Sequence, residues 1–281
     1  MINLTISIQD TYYILGEMSR TKNSELFVSA WYDLVKDYTF PRDRYVMGSI
    51  ERDNFEDHLL YIYKENPRPI EEIIREEFPY LAEFFEKALK KWSQGVFVRW
   101  DDRSPKDYWF YFSKSSDDIK PKPLKTVEKI FEVLLNSERL VSDIIRGTFN
   151  GVIWVAPFIQ IDHEMRGFVY RNGLFALSQY YYEEYDHLMS KYADWYAKAY
   201  YDLWLKVRGR LEKFENYVID FGWDKSNREP IVIELNPFDR STDPCLFSWK
   251  ELHELKLQNK FVVRVNELKP KELIFVENGQ E

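Results

Sequence analysis

The chain has 281 residues, of which 45% are hydrophobic and 17% aromatic, so it is long enough and apolar enough to bury a sizeable core. Its formal net charge of −8 argues against a general nucleic-acid-binding protein, which would carry a basic surface, but a local cationic pocket is compatible with it. A single cysteine excludes an intrachain disulfide. No apolar run approaches the roughly 20 residues of a membrane helix, and no signal peptide is evident. We therefore expect a cytoplasmic protein without membrane association.

The first half of the sequence predicts short helices and strands separated by turns. Alternating apolar residues within 1–24 predict a strand, whereas 25–66 has no pattern that assigns it. Apolar residues at helical spacing predict helices on both sides of Phe78-Pro79 and two more between 124 and 146, the second capped by Ser137.

Strands are predicted at 96–100 and 107–112, joined by a polar loop, and the proline-containing segment 113–123 reads as a linker. In the second half, Asn172-Gly173 predicts the turn of a hairpin, because this dipeptide favours two-residue β-turns. The predicted elements of this half are, in order, a strand at 151–155, paired strands at 165–171 and 174–179, a long helix at 185–211, strands at 217–222 and 231–236, a helix near 248–256, and strands at 261–266 and 273–276. Such an arrangement predicts an α+β fold rather than a regular strand–helix alternation.

Two carboxylates lie on the predicted hairpin formed by 217–222 and 231–236. Because side chains alternate along a strand, Val232, Glu234 and Asn236 should share one face. A hairpin centred near Asn227 would place Asp220 opposite Glu234, and two facing carboxylates repel each other unless a cation or a proton lies between them. Magnesium commonly takes one or two carboxylates together with phosphate and water oxygens.

The alternative is that Asp220 and Glu234 are solvated residues on the polar face of a surface hairpin, which is a common pattern. The residues that follow the second strand argue against this alternative. Asn236-Pro237-Phe238 follows directly, and Asp243-Pro244 comes shortly after, which is more elaborate than a surface strand requires.

Several segments, in order along the chain, resemble motifs of the cell division cycle protein 123 family. The segment VIDFGWDKSNREPIVIELNPFDRSTDPCLFSWKEL resembles the closing motif of that family, in which an Asp precedes D-F-N-P-[FW], T-D and L-F-[ST]-W-E-E-L. The resemblance covers about residues 25–253. Its other motifs are SAWY (29–32), EFP (77–79), VFVRWDDRSPKDYW (96–109) and MRGFVYRNGLFALSQYYYEEYDH (165–187).

The resemblance implies a two-lobed ATP-grasp-like fold with antiparallel sheets and flanking helices, binding ATP and Mg²⁺ between the lobes. Asp220, Glu234 and Asn236 fall on the metal-ligand positions of the family, with Glu234 in place of its usual Asp. Arg99 stands where many members have a phosphate-binding Lys, and Lys106 falls on the basic position of the [SA]-P-[KR]-D motif. On this basis we expect an N-terminal lobe with the phosphate-side strands (1–120), a helical linker region (121–150) and a C-terminal lobe with the metal-binding hairpin (151–281).

Further candidate residues flank the expected nucleotide site. In the resemblance, 153–158 is the adenine hinge, so Trp154, Val155 and Phe158 are candidates for contact with the base. Trp154-Val155 replaces an Arg-Lys pair that is often found there. Arg166 could contact a phosphate or could pair with Glu164 or Asp162, and Gln179 matches a family position.

Two functions follow from these features. Eukaryotic family members are assembly chaperones for translation initiation factor 2, which implies a protein client, such as a translation factor subunit. Trp31 and Tyr32 are candidates for contacting it, although core packing is the simpler expectation. The alternative is an ATP-grasp ligase or phosphotransferase acting on a peptide or RNA. Because no nucleophile–base pair stands out, catalytic residues are not assigned.

Overall fold

The computed structural model describes residues 26–59, 68–112, 120–258, 260–266 and 272–275, so the strand predicted within 1–24 lies outside the described residues. The helices are α1 (Val28–Val35), α2 (Ser49–Asp57), α3 (Ile70–Glu77), α4 (Pro79–Lys91), α5 (Lys106–Phe112), α6 (Val127–Leu135), α7 (Glu138–Ile145), α8 (His187–Lys191), α9 (Ala193–Val207) and α10 (Trp249–Leu255). The strands are β1 (Asp43–Val46), β2 (Val96–Trp100), β3 (Val152–Pro157), β4 (Ile161–Tyr170), β5 (Gly173–Gln179), β6 (Tyr217–Asp224), β7 (Glu229–Pro237), β8 (Phe261–Arg264) and β9 (Glu272–Phe275).

These strands form two sheets. The smaller sheet has the order β1-β3-β2 and is antiparallel, while the larger has the order β7-β6-β4-β5-β8-β9. Strands β5 and β8 pair in parallel, and the other pairs of the larger sheet are antiparallel. This arrangement confirms the α+β prediction. Strand β3, which we expected to open the C-terminal lobe, is hydrogen-bonded into the smaller sheet instead.

The smaller sheet packs against helices in the first of two large hydrophobic cores. Helices α6 and α7 come from the segment predicted as a linker region, 121–150, yet Phe131 and Leu140 are fully buried in the same core as Phe85 and Val98. Ser137 caps α7 as predicted, because its hydroxyl accepts a hydrogen bond from Leu140 N. The segment is therefore part of the first packed unit, whereas the division of the chain at 120 and 150 stays a prediction.

The larger sheet packs against α9 in the second large core. Tyr200 and Trp204 of α9 are buried there with Phe221 of β6, and the Tyr200 and Phe221 rings stack with centroids 5.4 Å apart. The single helix predicted over 185–211 is divided into α8 and α9. The division lies at Tyr192, whose φ of −118° and ψ of 29° are not helical, while the Asp186 carboxylate caps the start of α8 by accepting from two backbone N–H groups.

The strand predicted at 107–112 is wrong, since α5 occupies this segment. Its aromatic residues favour a strand by propensity, but tertiary contacts decide otherwise. The Asp107 carboxylate accepts hydrogen bonds from Ser137 Oγ at 2.8 Å and from the backbone N of Arg139 at 3.0 Å. These bonds attach the first turn of α5 to the start of α7.

The predicted hairpin between β4 and β5 forms, but its turn lies one residue earlier than expected. Tyr170 pairs with Gly173, so the turn residues are Arg171 and Asn172, both with positive φ, of 49° and 57°. Two positive φ angles match the twist that a two-residue hairpin needs. The backbone N–H groups of both turn residues are hydrogen-bonded to the segment before β6, at Asn216 and Glu215, which fixes the turn there.

Helix α1, in the region that the sequence left unassigned, joins the two cores through Asp101. The buried Asp101 carboxylate accepts from Ser29 N at 2.7 Å, Ser29 Oγ at 2.5 Å, Asn150 Nδ2 at 2.8 Å and Trp154 Nε1 at 2.8 Å. Trp31 of α1 is fully buried in the second core, which excludes it as an exposed partner contact. Among the described residues no helix is long and apolar enough to cross a lipid bilayer.

Gly222 of β6 is expected to be intolerant of a side chain. A Cβ atom at this position would lie 2.3 Å from Ile161 Cγ2 and 2.8 Å from Ile233 Cδ1. Gly222→Ala should therefore lower the free energy of unfolding by about 1–3 kcal/mol through overpacking. Chemical denaturation measures the loss. Gly209→Ala is the control, because no atom lies within 4 Å of the added Cβ; equal unfolding midpoints for the two variants would contradict the prediction.

Candidate functional site

A β-bulge in the hairpin of β6 and β7 brings the two carboxylates face to face. From Asp224 and Glu229 up to Phe221 and Val232 the strands pair in one register, and the register then shifts so that Asp220 lies opposite Glu234. Ile233 is the extra residue of the bulge. The predicted pairing of Asp220 with Glu234 is confirmed. The part of the hairpin next to the turn is centred half a residue before Asn227, so it is the bulge that places Glu234 opposite Asp220.

The bulge also changes which side chains share a face. We expected Val232 beside Glu234 and Asn236, but Val232 is fully buried in the second core with Leu235. Asp220 and Glu234 are 1% and 9% exposed, so they are not solvated surface residues. The Asn236 Nδ2 atom lies 3.0 Å from Asp220 Oδ2 and 3.4 Å from Glu234 Oε1. The three predicted metal ligands therefore converge on one point.

Two buried arginines neutralise the carboxylates. Arg166 lies opposite Asp220 on β4 and donates from Nε and Nη2 to both of its oxygens, each at 2.8 Å. Asp220 is thus the acid partner of Arg166, in place of Glu164 or Asp162. Arg99 reaches across from β2 of the smaller sheet and donates from Nη1 to Glu234 Oε2 at 2.5 Å. Two buried carboxylates without cations beside them would destabilise the fold, and the arginines supply the opposite charges.

The two carboxyl groups differ in their pKa. Burial raises the pKa of Asp220, and the positive charge of Arg166 only partly opposes it. Burial alone would also raise the pKa of Glu234, but Arg99, Lys106 and Arg166 outweigh it and hold that pKa well below its usual range. Glu234 is therefore an anion with three cations around it.

A cavity of about 710 Å³ lies beside this group. Three of the predicted nucleotide-binding residues, Lys106, Phe158 and Gln179, line it, as does Ile233 of the bulge. Lys106 Nζ lies 3.0 Å from the Tyr180 hydroxyl, and the Arg166 guanidinium stacks 4.7 Å above the Tyr180 ring. Tyr180 therefore connects the cavity wall to the arginine–carboxylate group.

The remaining predicted residues have other positions. Trp154 and Val155 do not line the cavity; Trp154 lies in the second core with its indole N–H bonded to Asp101, and Val155 is fully buried in the first core. The Gln179 amide donates to the backbone oxygens of Tyr181 and Glu184, both at 2.7 Å, so its donors shape the loop that borders the cavity.

The donor set fits magnesium. Within the described residues no three acidic, histidine or cysteine side chains form a metal site, and the converging set is instead two carboxylates and one amide. Magnesium needs few protein ligands, because phosphate and water oxygens complete its shell. The Asn236 amide would offer its oxygen after rotation, and each carboxylate has lone pairs beyond those that the arginines use.

Comparison with known proteins identifies the family of this chain. The sequence profile of the D123 family matches residues 51–274. The chain belongs to the D123 family. Cdc123 from Schizosaccharomyces pombe superposes with a TM-score of 0.67 at 21% sequence identity, covering 89% of this chain and 99% of that one, and its C-terminally truncated form gives the same values. This D123-family chain therefore shares the Cdc123 fold, and the resemblance identified from the motifs is confirmed.

A weaker similarity links this D123-family chain to D-alanyl-alanine synthetase A from Vibrio cholerae O1 biovar eltor str. N16961. The TM-score is 0.44 at 14% identity, covering 83% of this chain and 60% of that one. A score of this size supports no inference about function.

Glu164 is a cavity residue whose role the sequence did not reveal. It lines the cavity together with Lys106, and burial raises its pKa to about 7, against the opposing charge of Lys106. We considered Glu164 only as a partner of Arg166. Strand alternation could not have found it, because β4 is irregular between Asp162 and Met165 and His163 has a positive φ of 52°.

The pairing of Arg166 with Asp220 predicts that removal of Asp220 destabilises the protein. Asp220→Ala would leave Arg166 buried without its acid, so the free energy of unfolding of the ligand-free protein should fall by about 3–5 kcal/mol. Urea denaturation measures this fall in the free energy of unfolding. Asp202→Ala is the control, because its pair with Lys198 is exposed and should contribute about 1 kcal/mol or less. A loss as small as that of the control would show that Asp220 does not neutralise Arg166.

Proposed function

We propose that the protein binds ATP together with Mg²⁺ in the cleft between its two sheets. The observation that carries the proposal is the convergence of Asp220, Glu234 and Asn236 beside a cavity of nucleotide size, with buried cations from both sheets around them. Asp220, Glu234 and Asn236 would hold the metal. The ion would screen the repulsion between the carboxylates and the phosphates.

Lys106 is the leading candidate for phosphate contact. Arg99 and Arg166 already pair with carboxylates, whereas Lys106 forms no salt bridge within the described part of the chain and has the Tyr180 hydroxyl as its hydrogen-bond partner. Burial alone would lower the pKa of Lys106, but Tyr180, Glu234 and Glu164 raise it, so the group is a cation. An ammonium group that lines the cavity is suited to bind a phosphate oxygen.

The base and the ribose would occupy the rest of the cavity. Phe158 gives an apolar wall for the base, and Glu164 offers an acceptor for hydroxyl groups. Trp154 and Val155 would act through the backbone of β3 and through the packing behind the hinge, because their side chains lie in the two cores.

We further propose that the nucleotide-bound protein acts on a protein partner in the cytoplasm, as assembly chaperone of a translation factor subunit. Membership of the D123 family supports this role. The docking surface would exclude Trp31, which is fully buried, while Tyr32 is half-buried and its hydroxyl accepts from Arg42 N at 2.9 Å. Docking on α1 would therefore rely on its outward-facing residues.

ATP with Mg²⁺ should raise the melting temperature of the protein, and ATP in excess chelator should raise it much less. At about 100 times its dissociation constant, a ligand adds roughly 2.7 kcal/mol of stability, which corresponds to several degrees for a chain of this size. Asn236→Ala should reduce the magnesium-dependent part of the shift. No shift with millimolar ATP and Mg²⁺ in well-folded protein would refute nucleotide binding.

Lys106→Met should weaken binding of ATP about tenfold while leaving the affinity for adenosine unchanged, because a charge-assisted hydrogen bond contributes about 1.5–3 kcal/mol. Calorimetric titration with both ligands measures the difference. Lys198→Met on the exposed face of α9 removes the same charge elsewhere and should change neither affinity. Equal losses for ATP and adenosine would place Lys106 away from the phosphates.

A further inference from the structure

His163 has an unusual backbone conformation at the wall of the cavity. Its φ of 52° lies in the left-handed region, which a residue with a side chain seldom adopts. In a regular strand the middle one of three residues faces the other side of the sheet, but here Asp162, His163 and Glu164 all line the cavity. Strained residues of this kind persist where the surrounding structure holds them firmly, and they are concentrated at ligand-binding sites.

Three neighbours hold His163 in this position. The Tyr200 hydroxyl, from α9, donates to the His163 backbone oxygen at 2.7 Å. The imidazole packs on the Tyr196 ring with centroids 4.6 Å apart, and its Nδ1 atom lies 2.6 Å from Asp186 Oδ2. The other oxygen of Asp186 caps α8, so this carboxylate is itself fixed. The backbone, the ring face and one ring nitrogen of His163 are therefore each held by a different group.

The Asp186 carboxylate determines which nitrogen of the imidazole is left for a ligand. An ionised carboxylate only accepts hydrogen bonds, so Nδ1 of His163 carries the proton that it donates. In the neutral ring Nε2 is then a hydrogen-bond acceptor. Nε2 has no hydrogen-bond partner in the part of the chain that the structure describes, and it is not among the buried atoms that lack one. It is therefore an oriented acceptor that the cavity can reach.

Glu164, the next residue, offers a second acceptor. Within the described ranges its carboxylate forms no salt bridge, although it lines the cavity. Two other acids of the cavity wall are each paired with a lysine: Asp162 with Lys225 at 3.3 Å, and Glu184 with Lys120 at 2.8 Å. The imidazole of His163 and the carboxylate of Glu164 are thus adjacent acceptors that remain available to a ligand with two neighbouring hydroxyl groups.

Strand β4 leads from the proposed base end of the cavity to its phosphate end. Phe158, the proposed wall for the base, lies in the connection between β3 and β4, whereas Arg166 of β4 pairs with Asp220 of the proposed metal site. His163 lies between them, at most roughly 10 Å before Arg166 along the strand. In ATP the sugar lies between the base and the phosphates. The acceptors of His163 and Glu164 are therefore at the level of the sugar.

We propose that His163, oriented by Asp186, accepts a hydrogen bond from a ribose hydroxyl group of the bound nucleotide, with Glu164 beside it for the other, and so makes the site selective for ribonucleotides over deoxyribonucleotides. This inference rests on the proposed ATP site and adds recognition of the sugar to it. A site built to accept a hydrogen bond from a hydroxyl group discriminates against a ligand that lacks this group, because the acceptor then stays unpaired. Asp186 is a positioning residue that acts through the imidazole.

The test is calorimetric titration of the full chain with ATP, 2′-deoxy-ATP and 3′-deoxy-ATP, each with Mg²⁺. At least one deoxynucleotide should bind the wild type about tenfold more weakly than ATP does, the change expected for one hydrogen bond. In His163→Asn the affinity for ATP should fall to that for this deoxynucleotide, so that their ratio approaches one. Asn tolerates the left-handed backbone but has no atom at the position of Nε2. His253→Asn, on the exposed side of α10 and outside the cavity, is the control and should keep the wild-type ratio.

The positioning role of Asp186 has a spectroscopic readout. Asp186→Asn keeps an oxygen for the cap of α8 but turns an N–H donor towards Nδ1 of His163, so the proton of the neutral ring should move to Nε2. Nitrogen-15 NMR shifts of the imidazole report the change. A wild-type ring that is already protonated on Nε2 would contradict the acceptor role.

The titrations separate the sugar contact from nucleotide binding itself. Equal affinities of the wild type for all three nucleotides, or an unchanged ratio in folded His163→Asn, would overturn the proposal and leave ATP binding intact. The comparison within the wild type does not depend on how well any variant folds. If none of the three nucleotides binds, the proposed function fails, and the sugar contact fails with it.

Discussion

The ion pair between Arg99 and Glu234 is the contact on which the arrangement of the cleft depends. Arg99 belongs to the smaller sheet and Glu234 to the larger one, and both are less than 10% exposed. A buried ion pair contributes little net stability when intact but is strongly destabilising when one partner is lost. The pair therefore fixes the relative position of the two sheets more than it stabilises either of them, and the cavity between them keeps its shape.

Ligand binding at this point would redistribute charge partners rather than add buried charges. A magnesium ion would share Asp220 and Glu234 with the arginines, and the phosphates would in turn share Arg99 and Arg166 with the carboxylates. Each buried charge would then still face an opposite one. Under the proposed function, this exchange would account for the arginines around the carboxylates, which would otherwise oppose metal binding.

Strand alternation and hairpin symmetry, which are local properties, predicted the opposition of Asp220 and Glu234, but in the structure this alignment also depends on the bulge. The sequence did not predict the bulge at Ile233, which depends on packing between the strands, so Val232 was assigned to the wrong face. The partner of Arg166 and the helix at 107–112 were missed for a similar reason. Both are set by residues that are distant in sequence, Asp220 in the first case and Ser137 in the second.

Support for the hairpin of β6 and β7 extends to the N-terminal helix α1 through Arg42. Its Nη2 atom donates to the backbone oxygen of Ile233 at 2.7 Å, and its guanidinium lies 5.0 Å from the Trp31 ring centroid and 4.4 Å from that of Phe40. Burial, with the nearby charge of Arg99, lowers the pKa of Arg42 to about 9, so the aromatic rings and the Ile233 carbonyl compensate only part of the lost hydration. Because that carbonyl belongs to the bulge, the contact holds the register that sets Glu234 opposite Asp220. The burial of Trp31 is thus part of the construction of the site, which gives the aromatic pair at 31 and 32 a structural reason independent of any partner.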